Sequence, residues 1–284
     1  MRPTFLMCRP TFYGINYRIN PWMDVRRQAN RAVALQQWLA LRQVLEEECG
    51  ATVFACRARP GLPDMTFAAN AGLAYGGTFI PSRFRYRERA GEEPFFAAWF
   101  RSQGYRMAEL AGQQRFEGAG DALFLGDKLF AGYHFRTDIH THAELGELLG
   151  VRVYSLELVK PHFYHLDTCF APLSPQAAIY YPGAFDTYSV RLLKEHAGDL
   201  IAAPDEEAYE FGCNAVAVGK KVILSEPCRG LARALRKRGY TVCRLKFSEF
   251  IKAGGAAKCL TLRLDEGPAA KSGTRNPKSD GNRK

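Results

Sequence analysis

Asn214-Ala215-Val216-Ala217-Val218-Gly219-Lys220-Lys221-Val222-Ile223-Leu224 reads as a β-hairpin, with apolar runs on both sides of a glycine turn. Outward from it, residues 227–238 read as an amphipathic helix and Gly239 suits the left-handed position that closes one. Tyr240-Thr241-Val242-Cys243-Arg244-Leu245 then resumes a strand. The same order recurs along the chain. Helices are predicted over 30–48, 93–103, 142–149 and 187–197, followed by Gly50, Gly104, Gly150 and Gly198. Arg31-Ala32-Val33-Ala34-Leu35-Gln36-Gln37-Trp38-Leu39-Ala40-Leu41 shows the three-and-four spacing of a helix with one apolar face. Strand-like runs follow at Ala51-Thr52-Val53-Phe54-Ala55 and Val151-Arg152-Val153-Tyr154-Ser155-Leu156, and the run after Gly104 is the poorest match. A second hairpin is read at Ala122-Leu123-Phe124-Leu125-Gly126-Asp127-Lys128-Leu129-Phe130.

A polar or reactive residue stands at each equivalent loop: Asn70, Asp121, Asp167, Asn214 and Cys259, spaced 51, 46, 47 and 45 apart. Five helix–strand–loop–hairpin units predict a closed, roughly five-fold α/β assembly whose loops meet at one central mouth. A doubly wound sheet is the competing fold, but its strand–helix alternation needs no hairpins.

The chain has 284 residues, 47% hydrophobic and 24% charged, ordinary for a globular protein. Its net charge is +10, of which residues 271–284 contribute +4. The Gly-, Pro-, Ser-, Asn- and Lys-rich stretch 267–284 is expected to be a disordered basic tail, leaving 1–266 as one domain. The start, Met1-Arg2-Pro3-Thr4-Phe5-Leu6-Met7-Cys8-Arg9-Pro10, lacks the apolar run of a signal peptide, and no run has the length of a membrane span. Eight cysteines without a Cys-x-x-Cys pair read as reduced thiols, with the cytoplasm as the expected location.

Cys259 lies in Gly254-Gly255-Ala256-Ala257-Lys258-Cys259-Leu260-Thr261-Leu262-Arg263-Leu264. Small residues before it allow a ligand close to the backbone, and the alternating run after it reads as a buried strand. Any one cysteine is more often a buried structural residue. Its company changes the balance: a distant histidine in Phe163-Tyr164-His165-Leu166-Asp167 and carboxylates in Leu62-Pro63-Asp64 and Phe116-Glu117-Gly118-Ala119-Gly120-Asp121 supply the groups for covalent catalysis at an electrophilic carbon.

These segments, with Asn20-Pro21-Trp22-Met23, Arg136-Thr137-Asp138 and the reach from Pro63-Asp64 to Asn70, resemble the guanidine-modifying, amidinotransferase-like superfamily. The resemblance spans residues 5–265 and comes nearest to the arginine dihydrolase branch, related to dimethylarginine dimethylaminohydrolases and arginine deiminases. It implies the pentein fold, an α/β pseudo-five-fold propeller of ββαβ-type units around a central active site, in agreement with the period. It also implies that Cys259 attacks the guanidino carbon to form a covalent thiouronium intermediate. His165 protonates the leaving amine and activates water, Glu117 binds guanidino N–H groups and orients His165, and Asp64 anchors the guanidinium. A planar, resonance-stabilised cation calls for a strong nucleophile within a carboxylate cradle.

Arg136 and Arg89 are candidates for the substrate α-carboxylate, because a guanidinium fork suits bidentate binding. Arg136 is favoured; the run Arg83, Arg85, Arg87, Arg89 reads largely as a mobile, solvated lid or strand face. Asn20 is either a substrate contact, by resemblance, or the cap of a turn before Pro21. His134, His140 and His142 are read as solvated, with His-x-His on one strand face, and no zinc spacing completes a metal set. Neither cofactor nor metal is expected, and no phosphate loop or nucleic-acid module is read.

The expected partner is a small guanidino substrate, with no membrane or specific nucleic acid; a homo-oligomer is compatible with this reading. Asparagine at 70, where deiminases and dimethylarginine hydrolases generally have aspartate, can face a cationic guanidinium or the neutral urea of citrulline. The expected reaction is therefore conversion of arginine to ornithine, carbon dioxide and ammonia. Hydrolysis to citrulline from arginine or dimethylarginine, amidino transfer, and a non-catalytic ribosome-binding pentein are the alternatives. Because the chain stops soon after Cys259, further conversion of ornithine is expected of another protein.

Overall fold

The computed structural model describes residues 2–268. Apart from Gly267 and Pro268, the tail read at 267–284 lies outside the described residues.

Five three-stranded sheets carry the chain around a ring. One blade pairs Gly72–Tyr75 with Thr78–Pro81, and this hairpin is joined through helix Glu93–Ser102 to Arg106–Met107. The next uses Ala122–Leu125, Lys128–Tyr133, helix Thr141–Leu149 and Arg152–Glu157. Another follows with Phe170–Ser174, Ala177–Tyr180, helix Thr187–His196 and Asp199–Ala202. Val216–Val218, Lys221–Ser225, helix Arg229–Lys237 and Thr241–Leu245 form the last complete one. In each, the hairpin is antiparallel and the strand after the helix returns parallel. The fifth blade is made from both ends of the chain: Leu262–Arg263 lies antiparallel to Thr4–Cys8, which runs parallel to Thr52–Cys56 after helix Arg31–Gln43. The buried run expected after Cys259 is thus a two-residue strand that closes the ring.

The helices bury the stripe their spacing dictates. Ala34, Trp38 and Leu41 face inward from one, Phe96, Ala97 and Phe100 from another, and Leu231, Ala232 and Leu235 from a third. Each large apolar side chain so buried contributes about 1.5–3 kcal/mol. All five glycines read as helix closers have φ between 65° and 81°. The first helix passes through a π-helical turn, Val44–Glu48, before reaching Gly50. Arg106–Met107 is two residues long, consistent with the weak pattern after Gly104.

Loops at the mouth are tied blade to blade. Asn70 Nδ2 donates to Glu117 O (3.1 Å), Leu166 N to Asp121 Oδ1 (3.0 Å), and Asn214 Nδ2 to Asp167 O (2.8 Å). Lys258 N donates to Asn214 O (3.2 Å) and Ala69 N to Cys259 O (3.1 Å), completing the circle. Here the five-fold period becomes a set of bonds: residues some 45 positions apart satisfy one another's buried polar groups. The approach is tight enough to require glycine at 118, where φ is +63° and a Cβ would stand 2.7 Å from Gly72 O.

Candidate active site

Cys259 is buried in the ring of loops. Three N–H groups of its own loop, from Ala256, Lys258 and Cys259, converge on Asn214 Oδ1 at 3.0–3.2 Å. The same amide turns its Nδ2 toward Cys259 Sγ at 3.1 Å. On the other side Sγ meets Asp167 Oδ2 at 3.3 Å. Burial, then the Asp167 carboxylate, pushes the thiol well above its ordinary value. The sulfur therefore rests protonated, donating to Asp167, and needs a positive charge beside it to ionise.

Asp64 and Asp167 supply that demand for charge. Both are buried, and burial raises both: Asp64 upward, Asp167 to about 6 with Lys258 partly offsetting the rise. Tyr17 Oη donates to Asp64 Oδ2 (2.9 Å), whereas Asp64 Oδ1 and Asp167 Oδ1 have no partner among the described residues. A buried acceptor without a donor costs about 1–3 kcal/mol, more when charged. Two such oxygens near one thiol suit a ligand that brings several N–H donors and a positive charge.

His165 stands behind this face, with Nε2 2.7 Å from Glu117 Oε2. Burial lowers the imidazole to about 4 despite that carboxylate, so it rests neutral, with the Nε2 proton on Glu117's side. Burial would raise Glu117, but Arg136 and His165 hold it well below the usual carboxylate range. Its oxygens are already used: Oε2 by Arg136 (2.9 Å) and His165, Oε1 by Arg85 N (3.1 Å). Glu117 is thus the shared partner of His165 and Arg136, with Oε1 carrying a single bond.

Asn20, Asp64, Asn70, Arg89, Arg136 and Cys259 line one small cavity of about 10 Å³; Asp167, Glu117 and His165 lie outside its wall, Asp167 joined to it through Cys259 Sγ. Arg136 is sandwiched between Tyr86 and Tyr164, 4.8 and 4.5 Å from their ring centroids, and spends N–H groups on Glu117 and Ile19 O. Arg89 is more fully engaged: it clasps Glu92 through two bonds of 2.9 Å and also reaches Asn70 Oδ1 (2.8 Å) and Asp64 O (3.1 Å). Asn20 caps the turn, with Oδ1 accepting from Trp22 N and Nδ2 donating to Ala253 O, and it also lines the cavity.

The arginine run divides: Arg85 and Arg87 are exposed, whereas Arg89 is buried and paired with Glu92, and Arg83 is held by the carbonyls of Leu110, Gly112 and Gln114. One expectation is corrected: the three histidines are not all solvated, nor are His140 and His142 on a strand. They begin helix Thr141–Leu149, and His142 is buried against Ser155 Oγ (2.8 Å), with burial lowering it to about 4. Asp167, Asn214 and Tyr17 are contacts of the site that received no role from the sequence. For Asp167 and Asn214 the signal was present in their five-fold equivalence to Cys259.

Residues 2–265 match the family described as N,N dimethylarginine dimethylhydrolase, eukaryotic. The chain belongs to this family. It is 45% identical over 270 residues to the bifunctional arginine dihydrolase/ornithine cyclodeaminase AgrE of Nostoc sp., covering 93% of this chain and 38% of that protein. The chain thus spans well under half of that relative. It is 41% identical over 260 residues to the N(G),N(G)-dimethylarginine dimethylaminohydrolase of Mycobacterium tuberculosis, covering 92% and 85% of the two. The product-bound N-terminal domain of ArgZ, described as an arginine dihydrolase in cyanobacteria, has a TM-score of 0.90 at 43% identity, covering 94% of this chain and 99% of that one. A variant of the same domain, covalently bound to a reaction intermediate, has a TM-score of 0.89 at 43% identity, with 93% and 98% covered.

Proposed function

We propose that this chain hydrolyses the guanidino group of free arginine through a covalent intermediate on Cys259, in one catalytic domain spanning residues 1–266. The observation that carries the reading is the pair of unpartnered buried oxygens, Asp64 Oδ1 and Asp167 Oδ1, beside a thiol that only a cation would ionise. A guanidinium answers both needs. Its N–H groups satisfy the two carboxylates, and its charge lowers the cost of forming the thiolate between them.

The thiol proton passes to neutral His165 as Sγ adds to the guanidino carbon, and Glu117 stabilises the imidazolium. His165 returns that proton to the departing nitrogen, ammonia leaves, and a thiouronium remains on Cys259. Water deprotonated by His165 then displaces the sulfur to give citrulline. A second round on the neutral ureido carbon expels a second ammonia, and hydrolysis of the resulting thiocarbamate gives ornithine and carbon dioxide. Arginine and two waters thereby yield ornithine, carbon dioxide and two ammonia molecules. Asn70 supports the second round, since its amide tolerates a neutral urea, and Arg89 and Glu117 O fix its orientation. Arg136 is assigned the substrate carboxylate: it commits fewer N–H groups to the protein than Arg89.

Identity to the dimethylaminohydrolase of Mycobacterium tuberculosis favours a second reading, removal of dimethylamine from dimethylarginine. Product analysis separates the two. Ornithine with two equivalents of ammonia from arginine supports the dihydrolase; citrulline with dimethylamine from dimethylarginine, and inert arginine, supports the other. Eight free cysteines suit a reducing cytoplasm, and no described helix is long and apolar enough to cross a membrane.

A further inference from the structure

A second cavity, about 360 Å³, is walled mainly by the hairpin strands, with Lys258 and Thr261 from the loop of Cys259, and it shares no lining residue with the cavity at Cys259. Adjacent residues divide between the two: Cys259 lines one, Lys258 the other. The larger cavity's wall is mixed, with Leu123, Phe170 and Val216 beside Ser174, Thr261 and three charged residues, Lys258, Arg263 and Glu266. Its charges are unequal in company. Arg263 is neutralised by Asp265 through bonds of 3.2 and 3.1 Å and lies 3.7 Å from Glu266. Lys258 has only the carbonyls of Ala119 and Thr261, at 3.3 and 3.5 Å, and no carboxylate among the described residues within ion-pair distance.

We propose that this cavity binds a small monocarboxylate at Lys258 and that its occupation slows the chemistry at Cys259. An ammonium that Asp167 and Glu266 reach only at longer range gains a direct partner from an anion whose hydrocarbon body lies against Leu123, Phe170 and Val216. The volume falls in the range of small-molecule sites. Glu266 beside Arg263 disfavours a second negative charge, which selects a monoanion over a phosphate or dicarboxylate. Coupling follows from adjacency. Lys258 favours the ionised form of Asp167 and attracts the Cys259 thiolate, and a bound carboxylate cancels that support.

The kinetic half of this inference rests on Cys259 being the nucleophile; the binding half does not. Pentanoate is the probe, titrated calorimetrically at constant ionic strength against the wild type, Lys258→Met and Ala217→Trp. Ala217 is a half-exposed wall residue of the chamber on the hairpin strand Val216–Val218, so an indole there would fill the space. Wild type is expected to bind one equivalent, whether or not ornithine is present and whether or not Cys259 is alkylated. Both variants lose that binding, and pentylamine does not replace pentanoate. With arginine as substrate, pentanoate lowers kcat severalfold at unchanged KM, and Ala217→Trp turns over normally without inhibition. Displacement of pentanoate by ornithine would assign it to the arginines of the active site and overturn the proposal. So would the absence of saturable binding, or undiminished inhibition in Ala217→Trp. Binding without turnover of any guanidino substrate would instead overturn the assigned reaction and leave the chamber's ligand class standing.

Discussion

Asp167→Asn should move two rates at Cys259 in opposite directions. In the wild type the carboxylate lies 3.3 Å from Sγ and opposes ionisation of the thiol. At an effective dielectric near 20, unit charges at that separation repel by about 5 kcal/mol. Asparagine removes the repulsion, so alkylation by neutral iodoacetamide, followed by mass spectrometry at Cys259, should quicken at least about tenfold near pH 7. Arginine turnover should fall, because a buried charge partner of the guanidinium has been lost; about 3 kcal/mol corresponds to roughly a hundredfold in kcat/KM. Asp167 in the free protein titrates near 6, raised by burial, so wild-type kcat/KM should drop as pH falls through that value. The drop reflects conversion of a guanidinium-binding carboxylate to a neutral acid, and the variant should lack that limb. Alkylation and turnover falling together would show that Asp167 merely holds the loop, and turnover within threefold of wild type would remove it from the cradle.

Cys259→Ser should abolish turnover while preserving the melting temperature, since the hydroxyl fits the space but cannot supply a thiolate; measurable steady-state product would refute the covalent route. Arg136→Ala should raise KM for arginine at least tenfold, although loss of its bond to Glu117 will also lower kcat; agmatine preferred over arginine by the wild type would refute the carboxylate assignment. Asn70→Asp places a carboxylate beside Arg89, where it stays ionised and favours a cationic over a neutral substrate. Released citrulline should then accumulate, and an unchanged ornithine yield would reduce Asn70 to a tie between loops.

The fold was legible because its punctuation is chemical. A helix that must end in a left-handed turn selects glycine, and five such ends at a regular interval state the symmetry directly. The placing of Cys259 with Asp64, and of His165 with Glu117, was legible through their ordered motifs. What escaped depended on partners distant in sequence. Arg89 belongs to a run of arginines whose local pattern resembles a solvated face; only Glu92, Asn70 and the Asp64 carbonyl, brought around it in space, make its burial affordable. His142 looked like one member of a surface cluster until Ser155, on the strand after its helix, accounted for its inward position. Asp167 is the instructive omission. The period assigns it a location, whereas its proposed role rests on an oxygen 3.3 Å from sulfur.

Cys259, the proposed nucleophile, also stands at the seam of the ring, which would join catalysis to folding. Three residues after Cys259, Leu262 pairs with Leu6 and Arg263 with Phe5, so the blade that presents the sulfur exists only when both ends of the described chain have met. The contacts that shape the sulfur's surroundings come from other blades: Asn214 organises its loop, Asp167 faces it, and Ala69 N bonds its carbonyl. None of these contacts is local, so an incompletely closed chain exposes an ordinary thiol without its cradle. Ring closure lifts that thiol's pKa by burial while assembling the two carboxylates that make a guanidinium welcome. Reactivity toward general electrophiles is thereby suppressed by the same step that creates the preference for the cation. In the proposed reaction this division of labour lets a buried, protonated cysteine act as the nucleophile, its ionisation coupled to substrate binding rather than built into the resting protein.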